Sequence, residues 1–512
     1  MSSDWEHSSY SLDGYLPMEL ICSIFEYLHC SDLVVCRQLC TTIKQIIDTS
    51  VVLQYKIQLH LTGMADNPAH HLSVVEKLAL LQQYHAQWYS LPVNLKRVML
   101  FDRIHLDSGA EKHVIRGILG IGPSLEGDFY FAQLPSRIRG IPLKSWVLRL
   151  PEHSGAFAMD PQQDLLIIVK KPSAPEESVS FRVLQLSTGS EHPLASNPPL
   201  PLIAGLGREW LKMRISGPYL CVRSVEYDWI TAIWNWRSGS CIHTESHTAS
   251  FAWVGPTHLL LGVFGRSTAS PIDPPKLVLM DLSQPQRERR QWEFHLPMIL
   301  CKREDFGELF DFDIHCEPAT SQDRTGMGFS DPPFHVAEKD RLVALTSDES
   351  KVRMFFLASR LFDIVRNTAN VTTEAIVVPW KEWGPGHMHV DYDYSPYHGY
   401  MVYGTRYVAC WSNRSDILDF NKYHAWYKMQ ACSGEEEDDR TLVRAYSQTH
   451  WLTMTEDVDA TDEDIAELCL DVTDTDGQRK HVFEETISLG GLRTGFSGSM
   501  FSEDAICVSR GR

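Results

Sequence analysis

Long apolar runs are missing from these 512 residues. Stretches such as Leu165-Leu-Ile-Ile-Val169 and Leu259-Leu-Leu-Gly-Val-Phe264 fall far short of the ~20 residues a helix needs to cross a bilayer, so no membrane span is expected. Positive charge is short too: 47 Lys and Arg stand against 66 Asp and Glu, a net of −19. Phosphate binding needs clustered cations, and the one dense basic run, Arg287, Arg289 and Arg290, reads as a solvated loop, so nucleic acid is not an expected partner. No two of the 12 cysteines stand as C-x-x-C, which removes the usual metal-finger spacing. The 31 glycines and 27 prolines are too few for a collagen-like or low-complexity chain.

Enzyme signatures are missing as well. There is no G-x-S-x-G elbow, no G-x-x-x-x-G-K-[ST] phosphate loop and no H-E-x-x-H. Gly117, Gly120 and Gly122 have the wrong order for a dinucleotide loop and read as a strand–turn element. The opening residues, MSSDWEHSSYSLDG, lack the basic and apolar regions of a secretory leader. The expected compartment is therefore the cytosol or nucleus, where the sequons at Asn370 and Asn413 carry no meaning. No catalytic residue, cofactor or metal set is expected.

What is present divides in two. The first hundred residues have helical periodicity. Leu16, Leu20, Ile24, Phe25 and Leu28 form one apolar stripe, and Pro17 suits a first helical turn. Ser31-Asp32 is positioned to cap a second helix whose stripe is Leu33, Cys36, Leu39 or Cys40, Ile43, Ile46 and Ile47. Cys36 and Cys40, one turn apart, read as small buried apolar side chains. A further segment carries Leu53 and Ile57 and ends at Gly63. Ser73-Val-Val-Glu76 is a capping box opening another helix, which Leu91-Pro92 stops.

After about residue 100 the apolar residues come in short runs rich in Val, Ile and aromatics, separated by turn residues. Five pairs of runs stand out: 165 with 181, 219 with 230, 258 with 276, 341 with 352, and 400 with 406. The first members are spaced by 54, 39, 83 and 59 residues, and the longest step leaves room for a hidden unit around Glu308-Leu-Phe-Asp-Phe-Asp313. Sheet units of this size suggest a β-propeller of six to eight blades, rather than a non-repeating sandwich or several β domains. Ile233-Trp-Asn-Trp-Arg-Ser-Gly239 resembles the third strand and turn of a WD-repeat blade, with Asn235 where that family has Asp. The acidic loops Pro172–Glu177, Glu435–Asp439 and 455–477 read as solvated.

Two clusters have the composition of a site. His387, His389, Asp391 and Asp393 alternate, so a strand would bring them to one face, but His-rich loops are common on such domains. Trp380, Trp383, Tyr392, Tyr394, Tyr397 and Tyr400 would anchor a partner if exposed and form core if not.

The N-terminal pattern is more specific. Leu16-Pro17, Glu19-Leu20, Ile24-Phe25, Leu28, Asp32-Leu33, Cys36 and Leu39-Cys40 together resemble an F-box over about residues 14–50. The late Arg and Trp of that family fall on Thr41 and Ile43 here. Residues 53–88 and parts of 157–194 are similar to mushroom-type fungal F-box proteins. The resemblance implies docking of a Skp-family adaptor, and through it cullin and a RING protein, by Leu16, Pro17, Leu20, Ile24, Phe25, Leu28, Leu33, Cys36 and Leu39. Which of these face the adaptor and which are core stays open. About 40 residues are too few to bury a core alone, which suits a partner-dependent module.

The expected architecture is a small all-α module followed by a large all-β, propeller-like domain: F-box at 12–50, helical linker region at 51–100, target-binding β domain at 101–512. The expected function is recruitment of an unidentified protein target to a ubiquitin ligase, without chemistry by this chain. The rivals are an adaptor-bound scaffold without ubiquitylation and a propeller hydrolase.

Overall fold

The structure is a computed structural model. It describes residues 17–89, 106–124, 127–136, 138, 140–150, 156–170, 180–195, 200–201, 211–224, 229–263, 275–284, 289–297, 312–318, 332–347, 352–368, 375–392, 399–410, 414–421, 444–445, 485–488, 496–501 and 506–510. The three acidic loops and Leu91-Pro92 lie outside these residues. The chain forms two compact units: Met1–Leu91 with Pro332–His335, and Pro92–Asp331 with Val336–Arg512.

The first unit is helical: α1 (Met18–Tyr27), α2 (Cys30–Cys36), α3 (Thr41–Thr49), α4 (Val51–Thr62) and α5 (Val74–Tyr89). Several of the starts and stops have a local cause. Pro17 precedes α1 with extended backbone, where its missing N–H costs nothing. Gly63 ends α4 at φ 68°, a left-handed conformation that glycine adopts without strain. The capping box forms: Ser73 N–H donates to Glu76 Oε2 at 2.9 Å, and Glu76 N–H donates to Ser73 Oγ at 3.4 Å.

The apolar stripe from Leu33 to Ile47 does not belong to one helix. The chain leaves α2 at Arg37, and Cys40 is extended, with its Sγ accepting from Ile43 N–H to cap α3. Cys40 is therefore an exposed cap and not a buried apolar filler. The cap of α2 is His29, whose Nδ1 accepts from Ser31 N–H, two residues earlier than Ser31-Asp32 suggested. The core of the unit gathers Ile21, Phe25, Cys30, Leu33, Ile43, Ile46, Ile47, Leu53 and Leu81, all buried.

The second unit is a series of antiparallel sheets. The first four hold residues 106–149, 157–201, 211–245 and 248–295. Each has four strands in sequence order, a plain meander, to which the fourth sheet adds one later strand at its edge. The fifth sheet runs Asp313–His315, Leu342–Thr346, Val352–Leu357, His389–Tyr392. The sixth begins at Gly399–Tyr403, and a seventh pair is Phe496–Phe501 with Ile506–Arg510. Neighbouring sheets meet through their first or second strands in order from one to seven, and Phe496–Phe501 also packs against Leu106–Ile115 of the first sheet. The described sheets thus close a seven-membered ring.

All five pairs of runs read from the sequence are antiparallel partners. The hidden unit near Glu308 is not a separate sheet. Asp313–His315 pairs with Leu342–Thr346 as first strand of the fifth sheet, and the long connection between them produces the 83-residue step. Asn235 ends the third strand of its sheet and accepts from the N–H groups of Arg237 and Ser238. Asp281 and Asp419 end the third strands of two other sheets and accept from Ser283 and Asn421 N–H in the same way. This side-chain-to-backbone turn thus recurs after the third strand in three of the described sheets.

The fifth sheet carries an excursion between its third and fourth strands: α6 (Ala358–Asn367), strand Ala375–Val378 and α7 (Trp380–Trp383). The strand adds to the fourth sheet, parallel to Gln291–His295. Trp383 is buried, donates from Nε1 to His295 O at 2.9 Å and packs edge-on against Phe294 and Phe356. Of the aromatic cluster, Trp383 is core and Trp380 packs on it; Tyr394 and Tyr397, and the side chains of Tyr392 and Tyr400, lie outside what is described. Among the described residues, no helix is long and apolar enough to cross a membrane.

Candidate functional site

Helix α1 is apolar on two sides. Ile21 and Phe25, four apart, face inward and are buried. Leu20 and Ile24, also four apart, face outward and are each 50% exposed. Tyr27 continues that outer stripe at 91% exposure. Met18 is more than half exposed, as are Val35 on α2 and Leu39 after it. A surface helix needs one apolar side for its own core; its unit covers that side and leaves the second facing water.

The nine carried-over residues therefore separate. Pro17, Leu20, Ile24 and Leu39 are exposed; Leu28 and Cys36 are half-buried; Phe25 and Leu33 are core; Leu16 lies outside the described residues. Met18, Tyr27 and Val35 were not singled out from the sequence. Their signal was available in part, since Tyr27 stands three residues beyond Ile24 on the same face.

The outer stripe is held by polar contacts at its ends. Lys56 on α4 donates from Nζ to Glu26 O and Leu28 O, both at 2.5 Å, closing the carbonyl end of α1 with a cation. Arg37 grips Asp48 through two bonds of 2.6 and 3.1 Å, fixing the turn between α2 and α3. Burial pushes the Cys30 thiol up to about 11, so it stays protonated and behaves as an apolar filler.

Residues 15–55 match the F-box domain model. The chain carries an F-box domain. The match spans the outer stripe of α1, all of α2 and α3, and the first turn of α4. No curated protein matches the chain. Solved structures similar to it include Hsv2 of Kluyvelomyces marxianus, 8% identical, covering 60% of this chain and 75% of that one, with a TM-score of 0.32. The WD40 domain of Toxoplasma gondii coronin is 11% identical and covers 33% and 42%, at 0.21. BamB of Moraxella catarrhalis is 11% identical and covers 62% and 85%, at 0.26. At such scores the ring rests on the sheet order alone.

Outside the F-box, polar groups converge on the first strands of three sheets. Lys212 Nζ donates to Asp313 Oδ1 at 2.6 Å and to Ser250 Oγ at 3.3 Å. Ser250 donates to Asp313 at 2.9 Å and accepts from Ile314 N–H. Burial lowers the Lys212 ammonium, against the pull of Asp313. Burial alone would raise the Asp313 carboxyl, but Lys212 and His315 bring it well below the usual range. Burial and then Lys212 lower His315 to about 3. Ser250 is fully buried and its hydroxyl is committed on every side, so the trio ties three sheets together and is not disposed as a nucleophile. Of the His-rich cluster, His389 stacks on Phe355 and His387 precedes its strand, while Asp393 and the side chain of Asp391 lie outside what is described.

Proposed function

We propose that this chain is the substrate-recruiting subunit of a Skp–cullin–F-box ubiquitin ligase acting in the cytosol or nucleus. The outer apolar stripe of α1, lying within the F-box match, carries the reading. In this reading Pro17, Leu20, Ile24 and Leu39 bury against a Skp-family adaptor, joined by Met18, Tyr27 and Val35. Phe25 and Leu33 support the stripe from inside. The β unit holds a protein target, and cullin with its RING protein holds a charged conjugating enzyme nearby. Catalysis is then by tethering: target lysines meet the thioester at raised effective concentration, and no side chain of this chain takes part in bond making.

The experiment is co-purification of the full chain with a Skp-family adaptor, beside Leu20→Asp/Ile24→Asp. Adaptor, cullin and RING protein should copurify with the first and not with the second. Adaptor without cullin would replace the ligase by a scaffold. No adaptor with either chain would sink the docking reading altogether.

A further inference from the structure

The helical unit is not continuous in sequence. Pro332–His335 belong to it, although they lie between strands Asp313–His315 and Leu342–Thr346 of the fifth sheet. Phe334, 3% exposed, sets its ring 6.0 Å from that of Tyr84 on α5, which is equally buried. Asn67, just after α4, donates from its backbone N–H to Pro333 O at 3.1 Å and from Nδ2 to Pro332 O at 2.9 Å. Phe334 and His335 also lie in a strand that pairs with Met64–Asp66.

From Asn67 a polar chain leads onward. Lys77 on α5, its side chain 5% exposed, donates to Asn67 O at 2.7 Å and to Asp66 Oδ1 at 2.8 Å. Tyr55 on α4 donates to the same Asp66 oxygen at 2.8 Å. The next residue of α4, Lys56, closes the end of α1 beside Tyr27. Each of these donors is matched to an acceptor, so removing the first pair leaves a buried amide unsatisfied and a buried ammonium less well anchored.

We infer that Pro332–His335 is a strap that completes the helical unit, and that α4 and α5 transmit its hold to the docking helix. The competence of the F-box then depends on a segment 265 residues beyond Asn67. The link to docking rests on the function proposed above; the link to folding of the helical unit does not.

The test uses the full chain with Phe334→Ala, Phe334→Leu and Asn67→Ala, read by backbone hydrogen exchange and by adaptor affinity. A buried Phe→Ala change is large enough to speed exchange in α4 and α5 by at least ~100-fold. Asn67→Ala should act in the same direction with smaller effect, and Phe334→Leu should restore most of the protection. Strands Leu342–Thr346 and Val352–Leu357 should keep theirs, and adaptor affinity should fall by ~10-fold or more. Unchanged exchange in α4 and α5, or equal loss in those strands, overturns the strap. Faster exchange with unchanged affinity overturns its link to docking. If the unaltered chain binds no adaptor, the docking reading fails while exchange still decides the strap.

Discussion

Replacing Leu20 and Ile24 by Asp separates docking from folding. Both side chains are half exposed in the free chain, so a partner that covers them removes the remaining half of each from water. Full burial of such a side chain is worth about 1.5–3 kcal/mol, so the two together contribute about 2 kcal/mol to docking. The aspartates add a second cost, since each ionised carboxylate must be desolvated without a partner, at several kcal/mol apiece. Even half of that sum weakens binding by more than ~1,000-fold. The cost to the free chain is small. Asp is a poorer helix former than Leu or Ile by a few tenths of a kcal/mol; the helix dipole favours it at position 20 in the first turn and opposes it at position 24, toward the carbonyl end, by about 0.3–1 kcal/mol at most, so the two effects partly cancel. Calorimetric titration with purified adaptor and a thermal melt of the free chain read the two quantities apart. Affinity within three-fold of the unaltered chain would refute the placement of the interface on this face. A collapsed melt would refute the claim that these side chains lie outside the core.

Leu33→Ala, at a fully buried site, should cost about 2–5 kcal/mol in urea unfolding, whereas Leu39→Ala, at 67% exposure, should leave stability unchanged and weaken docking. Lys56→Met removes two charge-assisted bonds from the end of α1 and should lower the stability of the helical unit by about 1–3 kcal/mol, seen as faster exchange at Leu28 N–H and neighbouring amides. His315 is lowered to about 3 and His113 is also lowered, mainly by burial, so both are neutral when folded and take up protons on unfolding. The contribution of His315 is intact above the ordinary histidine value near 6.5 and is lost as pH falls from there toward 3, by up to about 1.4 kcal/mol per pH unit, and that of His113 is lost in the same direction below 6.5. Melts from pH 8 to pH 4 should show this fall, and His315→Gln should make it shallower.

Much of the helical unit was legible because helix ends have local chemistry. Gly63, the Ser73–Glu76 box and the stripe of α1 each act within a few residues. The break between α2 and α3 was not legible, because Arg37–Cys40 contains neither Gly nor Pro and the cap is a cysteine thiol. In the β unit, hairpins showed as paired apolar runs. The first sheet did not, since its opening strand, Leu106–Ile115, carries Asp, Ser, Gly, Glu, Lys and His among few apolar residues. Ring closure depends on pairing between distant strands, which no window of sequence contains. The candidate docking residues stood out as one set in the sequence, but their division into surface and core was not legible. Leu20 and Ile21 are neighbours of like polarity, and only the position of α4 and α1 relative to each other decides which one is covered. Pro332–His335 left no signal at all, since four residues have no period.

The strand that closes the ring, Phe496–Phe501, is made long after the first sheet it packs against. During synthesis, Leu106–Ile115 must wait with that flank uncovered while nearly four hundred further residues leave the ribosome. The helical unit waits a shorter time, since its last piece, Pro332–His335, emerges earlier. A nascent chain can thus complete its helical unit before its ring is sealed, and a message cut short within the seventh sheet would yield a product with that unit intact and an open ring.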